Sequence, residues 1–150
     1  MDTNITKTWT IEINENEVFS RCTNETLYQA YNRTPENEKG DALVMQDDDR
    51  GMFHMCYATA IAHLHMMLAK RMDDPAITNE GVTTFTLQMH DNHDDNILPI
   101  LVNHCYEYVV RKVLEQWYRV DFGSELERFE VTHCLYYRKN PVRRRVAPLI

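Results

Sequence analysis

The stretch that most constrains the fold is Asn96 to Phe122, which reads as one long helix. Val102, Tyr106, Val109, Val113, Trp117 and Val120 recur at steps of three and four, which places them on one face. Leu98, Leu101, Cys105 and Tyr108 widen that face into the spine of a core. On the other side Glu107, Arg111, Glu115 and Arg119 fall four apart with alternating sign. Neighbours in such a series attract across one turn, at about 0.2–0.5 kcal/mol a pair. Burial of the apolar side therefore decides this helix. The charged stripe reads as a solvated face or, in an assembly, as channel-facing or inter-subunit charge.

Both ends of the stretch are marked. Asp94, Asp95 and Asn96 offer cap acceptors and negative charge at the positive end of the helix dipole. Pro99 falls in the first turn, where its missing N–H does little harm. Gly123 reads as the stop, and Ser124-Glu125-Leu126-Glu127 has the spacing of a capping box for the next helix. That helix should run to about Tyr137, burying Leu126, Phe129, Leu135 and Tyr136.

Upstream, Thr8 to Asn14 alternates polar and apolar residues, a strand with Trp9, Ile11 and Ile13 inward. Asn14 or Asn16 then caps a helix from about Glu17 to Asn32, whose apolar content is Val18, Phe19, Cys22, Leu27, Ala30 and Tyr31. Arg33 to Arg50 breaks the pattern with Thr34-Pro35, Lys39-Gly40 and Asp47-Asp48-Asp49, and reads as a mobile acidic loop. The three aspartates lack the alternating ligands and the glycine of a calcium loop.

Gly51 to Met72 is a second long helix. Phe53, Tyr57, Ala60, Ile61, Leu64 and Leu68 form one face, while Met52, Met55, Ala58, Ala62 and Ala69 make much of the remainder apolar. A helix apolar nearly all round is either central to a core or part of an oligomer interface. Asp73-Asp74-Pro75 stops it, and Val82 to His90 alternates again, with Phe85, Leu87 and Met89 inward. The two strands are expected to pair as an antiparallel ribbon over one end of the helices.

The chain closes on Arg138, Lys139, Pro141, Val142, Arg143, Arg144, Arg145, Val146, Leu149 and Ile150. Its prolines favour an extended arm. Its apolar end suits docking in a groove of its own or a neighbouring subunit, and its arginines suit nucleic acid. The expected architecture is therefore mainly α: about four helices in a bundle, a small two-stranded antiparallel β-ribbon and an extended C-terminal arm. Residues 1–137 form one domain with the mobile loop at 33–50, and 138–150 form the arm.

A chain of 150 residues suffices for one real core. Its net charge of −7 argues against a generic nucleic-acid binder. The charge is uneven, acidic over the first third and basic at the end, so one end can pair with the other. The opening Met1-Asp2-Thr3-Asn4 does not read as a secretory signal, and no apolar run is long enough to span a membrane. Cys22, Cys56, Cys105 and Cys134, scattered without CxxC spacing, read as reduced buried thiols of a protein made in the cytosol. The sequons at Asn4, Asn24 and Asn32 are then chance matches.

Chemistry-bearing patterns are weak. The chain holds no G-x-S-x-G, Walker loop, dinucleotide fingerprint or H-E-x-x-H. His63 and His65 stand two apart and diverge on a helix, as do the neighbours His104–Cys105 and His133–Cys134. Only His90 and His93, with Asp91, Asp94 and Asp95 nearby, could close on a metal, which would suit a metal-dependent enzyme. The ordinary role of such histidines is in the core or on the surface, and no metal or other cofactor is assigned. Met52, Met55, Met66, Met67 and Met72 read as adaptable packing.

The order strand, helix, acidic loop, long helix, strand, long helix, short helix and Arg-Pro tail resembles small structural proteins of tailed phages and prophages. The residues that carry the likeness are Trp9-Thr10-Ile11-Glu12-Ile13-Asn14, the helix entry Asp94-Asp95-Asn96-Ile97-Leu98-Pro99, the exit Glu115-Gln116-Trp117-Tyr118, and Tyr136-Tyr137-Arg138-Lys139-Asn140-Pro141-Val142-Arg143-Arg144. The resembled proteins are of the head–tail connector, neck or tail-completion type. The resemblance implies a non-enzymatic virion protein, made in the host cytoplasm and placed in the neck or tail. It also implies a ring of identical subunits between portal and tail, laced by arms, with DNA passing through without sequence-specific binding. The acidic half, Asp47, Asp48 and Asp49 included, would face that channel. The other class in view is a small cytosolic regulator that holds nucleic acid through its basic tail.

Overall fold

Polar–apolar alternation gives β1 (Thr6–Asn14) one buried face, formed by Trp9, Ile11 and Ile13. The same alternation in β3 (Val82–His90) buries Thr83, Phe85, Leu87 and Met89. The two strands pair antiparallel along their length, with Trp9 opposite Leu87 and Ile11 opposite Phe85, so both buried sets share one side of the sheet. These features belong to a computed structural model that describes residues 6–32 and 44–138.

The ribbon has a third strand. β2 (Ile77–Asn79) pairs with the other edge of β3, giving the order β1-β3-β2. A two-residue turn joins them, with Glu80 at φ 51° and Gly81 at φ 79°. Positive φ at both central residues matches the right-handed twist of a tight hairpin. Glycine adopts such a φ freely, and Glu80 is held in it by the pairing on either side.

Helix α1 (Glu15–Asn32) follows β1 directly. Asn14 Oδ1 accepts from the backbone N–H groups of Asn16 at 2.9 Å and Glu17 at 3.3 Å, so Asn14 caps the helix. Val18, Phe19, Cys22 and Thr26 face inward, whereas Leu27 and Tyr31 are exposed. Among the described residues of the expected acidic loop, Met45 is fully buried and its N–H donates to Thr26 Oγ1 at 2.9 Å. Asp47–Asp49 then form one 3₁₀ turn running into α2 (Arg50–Leu68). This segment is thus ordered structure packed on α1 and not open loop. Residues 33–43 of the expected loop lie outside the described residues.

Helix α2 buries Phe53, Cys56, Tyr57, Ala60, Leu64 and Leu68 and continues into a 3₁₀ turn, Ala69–Arg71. Each such large side chain contributes about 1.5–3 kcal/mol on leaving water. The 3₁₀ turn Asp95–Ile97 opens α3 (Leu98–Tyr118), and the Asp94 side chain accepts from Asn96 N–H at 2.9 Å. Helix α3 is the expected spine: it touches α1, α2, α4 (Ser124–Tyr136) and β1.

Two expectations fail at the exit of α3. It stops at Tyr118, where Arg119 turns left-handed (φ 59°, ψ 37°) and its N–H reaches Glu115 O at 2.7 Å. Val120 is therefore exposed and lies beyond the apolar stripe. Gly123 (φ 85°) belongs to the entry of α4, and a Cβ there would meet Arg111 Nη1 at 3.0 Å. The phase of α4 also differs. Ser124, Glu127, Val131, Cys134 and Leu135 are buried, while Leu126, Phe129 and Tyr136 are exposed. A carboxylate, Glu127, holds an inward position because the Arg111 guanidinium and the His104 ring of α3 meet it there.

Candidate functional site

Helix α2 carries two apolar faces. One is spent on the core. Along the other, Met52, Met55, Ala58, Thr59, Ala62, Met66 and Ala69 are all exposed. Met55 is 71% and Met66 72% exposed, well beyond what scattered surface methionines need. No acidic residue interrupts Arg50 to Arg71, although the whole chain carries −7. A second stripe lies on α4, where Leu126 (64%), Phe129 (68%) and Tyr136 stand clear of the core. Between α2 and α4 runs a groove of about 380 Å³, floored by Tyr108 and Lys112 of α3 and edged by His63 and Met66 of α2 and by Glu125 and Arg128 of α4. A third apolar cluster, Leu27, Tyr28 and Tyr31, stands at the end of α1.

Of the alternating charges, Glu107, Arg111 and Glu115 lie half-buried against α4 and α1, while Arg119 is exposed beyond the end of α3. Glu107 sits 3.5 Å from Arg111 Nη2 and 3.7 Å from Arg21 Nη1. Arg111 also donates from Nη1 to Phe122 O at 3.2 Å and places Nε 3.9 Å from Glu127 Oε2. That buried Nε closes no hydrogen bond among the described residues. His104 Nδ1 completes the seam, 2.7 Å from Glu127 Oε1. Of the expected four-apart pairs, Glu107–Arg111 forms. Glu115 turns instead to the first turn of α4, and Arg119 is taken up in ending its helix. Beside the seam, an open groove of about 760 Å³ runs between α1 and α3, lined by Tyr28, Glu25, Arg111 and Phe122 among others.

Asp47, Asp48 and Asp49 do not converge. Asp49 Oδ2 accepts from Gln46 N–H at 2.9 Å, while Asp47 and Asp48 face outward. His90 and His93 do not converge either. His90 Nδ1 lies 2.9 Å from Asn92 Oδ1, and the His93 ring packs edge-on against Trp9, 5.8 Å between centroids. Among the described residues no three His, Cys, Asp or Glu side chains are placed to hold a metal ion. His93 is 1% exposed and neither ring nitrogen closes a hydrogen bond among the described residues. Burial pushes its pKa below the ordinary 6.5; the Tyr137 backbone opposes this, and the charges of Arg71, Arg138 and His90 add to it.

The four thiols are buried and unpaired. Burial pushes Cys22 up to about 12 and raises Cys56, Cys105 and Cys134 as well, which makes all four poor nucleophiles. Among the described residues no helix is long and apolar enough to cross a membrane. Of the C-terminal arm, Arg138 is described and half-buried. Lys139, Pro141, Val142, Arg143, Arg144, Arg145, Val146, Leu149 and Ile150 lie outside the described residues.

Sequence reasoning placed the second apolar face of α2 and left His93 a core or surface role, of which the structure takes the core, but it missed the α4 stripe and the Glu127 seam. The signal for the α4 stripe was present. Val131 and Leu135 define a face of their own, more than a quarter-turn from Leu126 and Phe129, with Cys134 at its edge. No protein family, no characterised protein and no solved structure matches the chain.

Proposed function

We propose that this chain is a non-enzymatic structural subunit that works by packing against copies of itself and against neighbouring virion proteins. Its place would be that of a head–tail connector or neck adaptor, in a ring around the DNA channel between portal and tail. The observation that carries the assembly reading is the exposed Met-Ala face of α2. A face of this kind is favourable in water only when covered, and a second protein surface is the simplest cover. The placement in a phage neck rests on the resemblance of the sequence, which the mainly helical fold with its small antiparallel sheet accommodates.

The experiment is the solution mass of the full chain by light scattering across a concentration series, repeated on a chain ending at Tyr137 and on Met55→Glu/Met66→Glu. Assembly predicts a discrete oligomer that the double charge substitution dissociates. Loss of the oligomer on truncation would add the arm to the contact. A monomer at every concentration, joined to salt-dependent DNA binding that vanishes when Arg143, Arg144 and Arg145 are replaced, would favour the nucleic-acid regulator instead.

A further inference from the structure

We propose that protonation of His93 releases the end of α4, the point from which the C-terminal arm leaves the domain. The proposal stands apart from the assembly reading, and either can fail alone. His93 is buried edge-on against Trp9, and neither ring nitrogen closes a hydrogen bond among the described residues. An imidazolium in that place would hold two N–H donors without acceptors. The Tyr137 backbone lies against the ring without closing a hydrogen bond. The charged neighbours are cations. Arg71 acts on the ring from the turn after α2, Arg138 from beyond α4, and His90 from the end of β3. The acids nearby in sequence are turned elsewhere. Asp94 Oδ1 accepts from Asn96 N–H, Asp95 meets Lys7 at 3.0 Å and the Trp9 indole N–H at 2.9 Å, and Asp91 is exposed.

The two sides of this contact are held unequally. The loop that carries His93 is tied down: its N–H donates to His90 O at 3.1 Å, its carbonyl accepts from Lys7, and Asp95 fastens the following turn to Lys7 and Trp9 of β1. The end of α4 hangs on less. Arg71 donates from Nη2 to Leu135 O at 3.2 Å and lies over the Tyr136 ring at 4.9 Å, while Tyr136 is 54% and Tyr137 42% exposed. Arg71, which makes that clasp, is one of the cations a charged His93 repels, and Arg138 is pushed from the same side. A new charge at His93 therefore acts on the clasp itself. The segment with the fewest buried contacts opens first, and here that is the end of α4.

Amide exchange on the full chain, corrected for its intrinsic pH dependence, tests this. Between pH 7 and pH 5.5, protection at residues 134–137 is expected to fall about tenfold, because each pH unit below the ordinary imidazole value is worth a factor of about ten to one unshared proton. The β1–β3 ladder should keep its protection. His93→Phe, which keeps a ring against Trp9, should hold the end of α4 protected at both pH values. Protection that does not fall, that falls equally in the ladder, or that falls in His93→Phe as well would each overturn the proposal. NMR of the unsubstituted chain gives a second test that needs no variant. The His93 ring and the Tyr137 amide should titrate with one midpoint, and separate midpoints would overturn the proposal too.

Discussion

Glu115 on α3 caps the helix that begins at Ser124: its Oε1 accepts from Ser124 Oγ at 2.7 Å, and its Oε2 accepts from the N–H groups of Ser124 at 3.0 Å and Phe122 at 3.1 Å. The capping box expected within Ser124–Glu127 does not form, because Ser124 already lies inside the helix and Glu127 points inward. A carboxylate from another helix supplies the acceptor instead, at the end where helix dipoles favour negative charge.

Glu115 should therefore hold α3 and α4 together. Desolvation pushes its pKa up, but the Ser124 hydroxyl, the two backbone donors and Lys112 outweigh it and leave the carboxyl below the ordinary 4.5. The carboxylate's contribution is thus complete above pH 4.5 and is lost as pH falls through the folded value. Glu115→Ala is expected to cost about 1–3 kcal/mol at neutral pH, the usual range for stranded buried donors. Glu115→Gln keeps an acceptor and should cost less. Urea unfolding of both at pH 7 and pH 4 checks this, and equal losses in Ala and Gln variants at both pH values would refute the cap.

His93 predicts the second pH dependence. Its imidazole stays neutral in the fold and sits near Arg71, Arg138 and His90, with Lys7 donating to the His93 carbonyl and also paired to Asp95. Above pH 6.5 neither the folded nor the unfolded imidazole is charged. Below it the unfolded chain takes a proton that the folded chain refuses, so stability falls until pH passes the depressed folded value. His93→Phe, which keeps a ring against Trp9, should flatten the urea midpoint between pH 6.5 and 5. Parallel pH profiles for the two proteins would show that His93 is not the group responsible.

What the sequence made legible depends on how local each cause is. β1, β3, α2 and α3 declare themselves because each repeats one apolar period over many residues. Strand β2 does not, having only three residues, all exposed. The phase of α4 was hidden because its deciding inward residue is Glu127, whose burial is intelligible only with His104, 23 residues earlier in the chain, placed opposite. Glu115 and Arg111 read as surface charge for the same reason: the partners that draw them inward, Ser124 and Glu127, lie on another helix. The α2 face was legible, since its apolar excess exceeds what one buried side can absorb.

Glu127 itself should be sensitive to its partners. A nearly buried carboxylate flanked by His104 and Arg111 becomes an uncompensated charge when a partner is removed. Breaking a fully buried pair costs about 3–5 kcal/mol and an exposed one about 1 or less, so this half-buried pair should fall between, whereas replacing both partners together can be nearly neutral. Arg111→Met alone is thus expected to destabilise more than Arg111→Met combined with Glu127→Gln. A thermal-unfolding double-mutant cycle measures the difference, and strict additivity of the two changes would contradict the coupling.

Met45 carries the last prediction. It is the only fully buried hydrophobic side chain among the described residues between α1 and α2, and its backbone N–H binds the Thr26 hydroxyl, which itself donates to Thr23 O at 2.9 Å. The side chain and the hydrogen bond together pin the start of α2, with Arg50 adding a bond to Asn16 Oδ1 at 2.7 Å and a stack over Phe19. Met45→Ala leaves a cavity and should cost about 2–5 kcal/mol. Because the anchor is local, the loss should appear first as faster amide exchange at Gln46 to Gly51, ahead of any change at the β1–β3 ladder. If exchange instead accelerates equally across both regions, the Met45 segment unfolds with the core and is not a separate clamp.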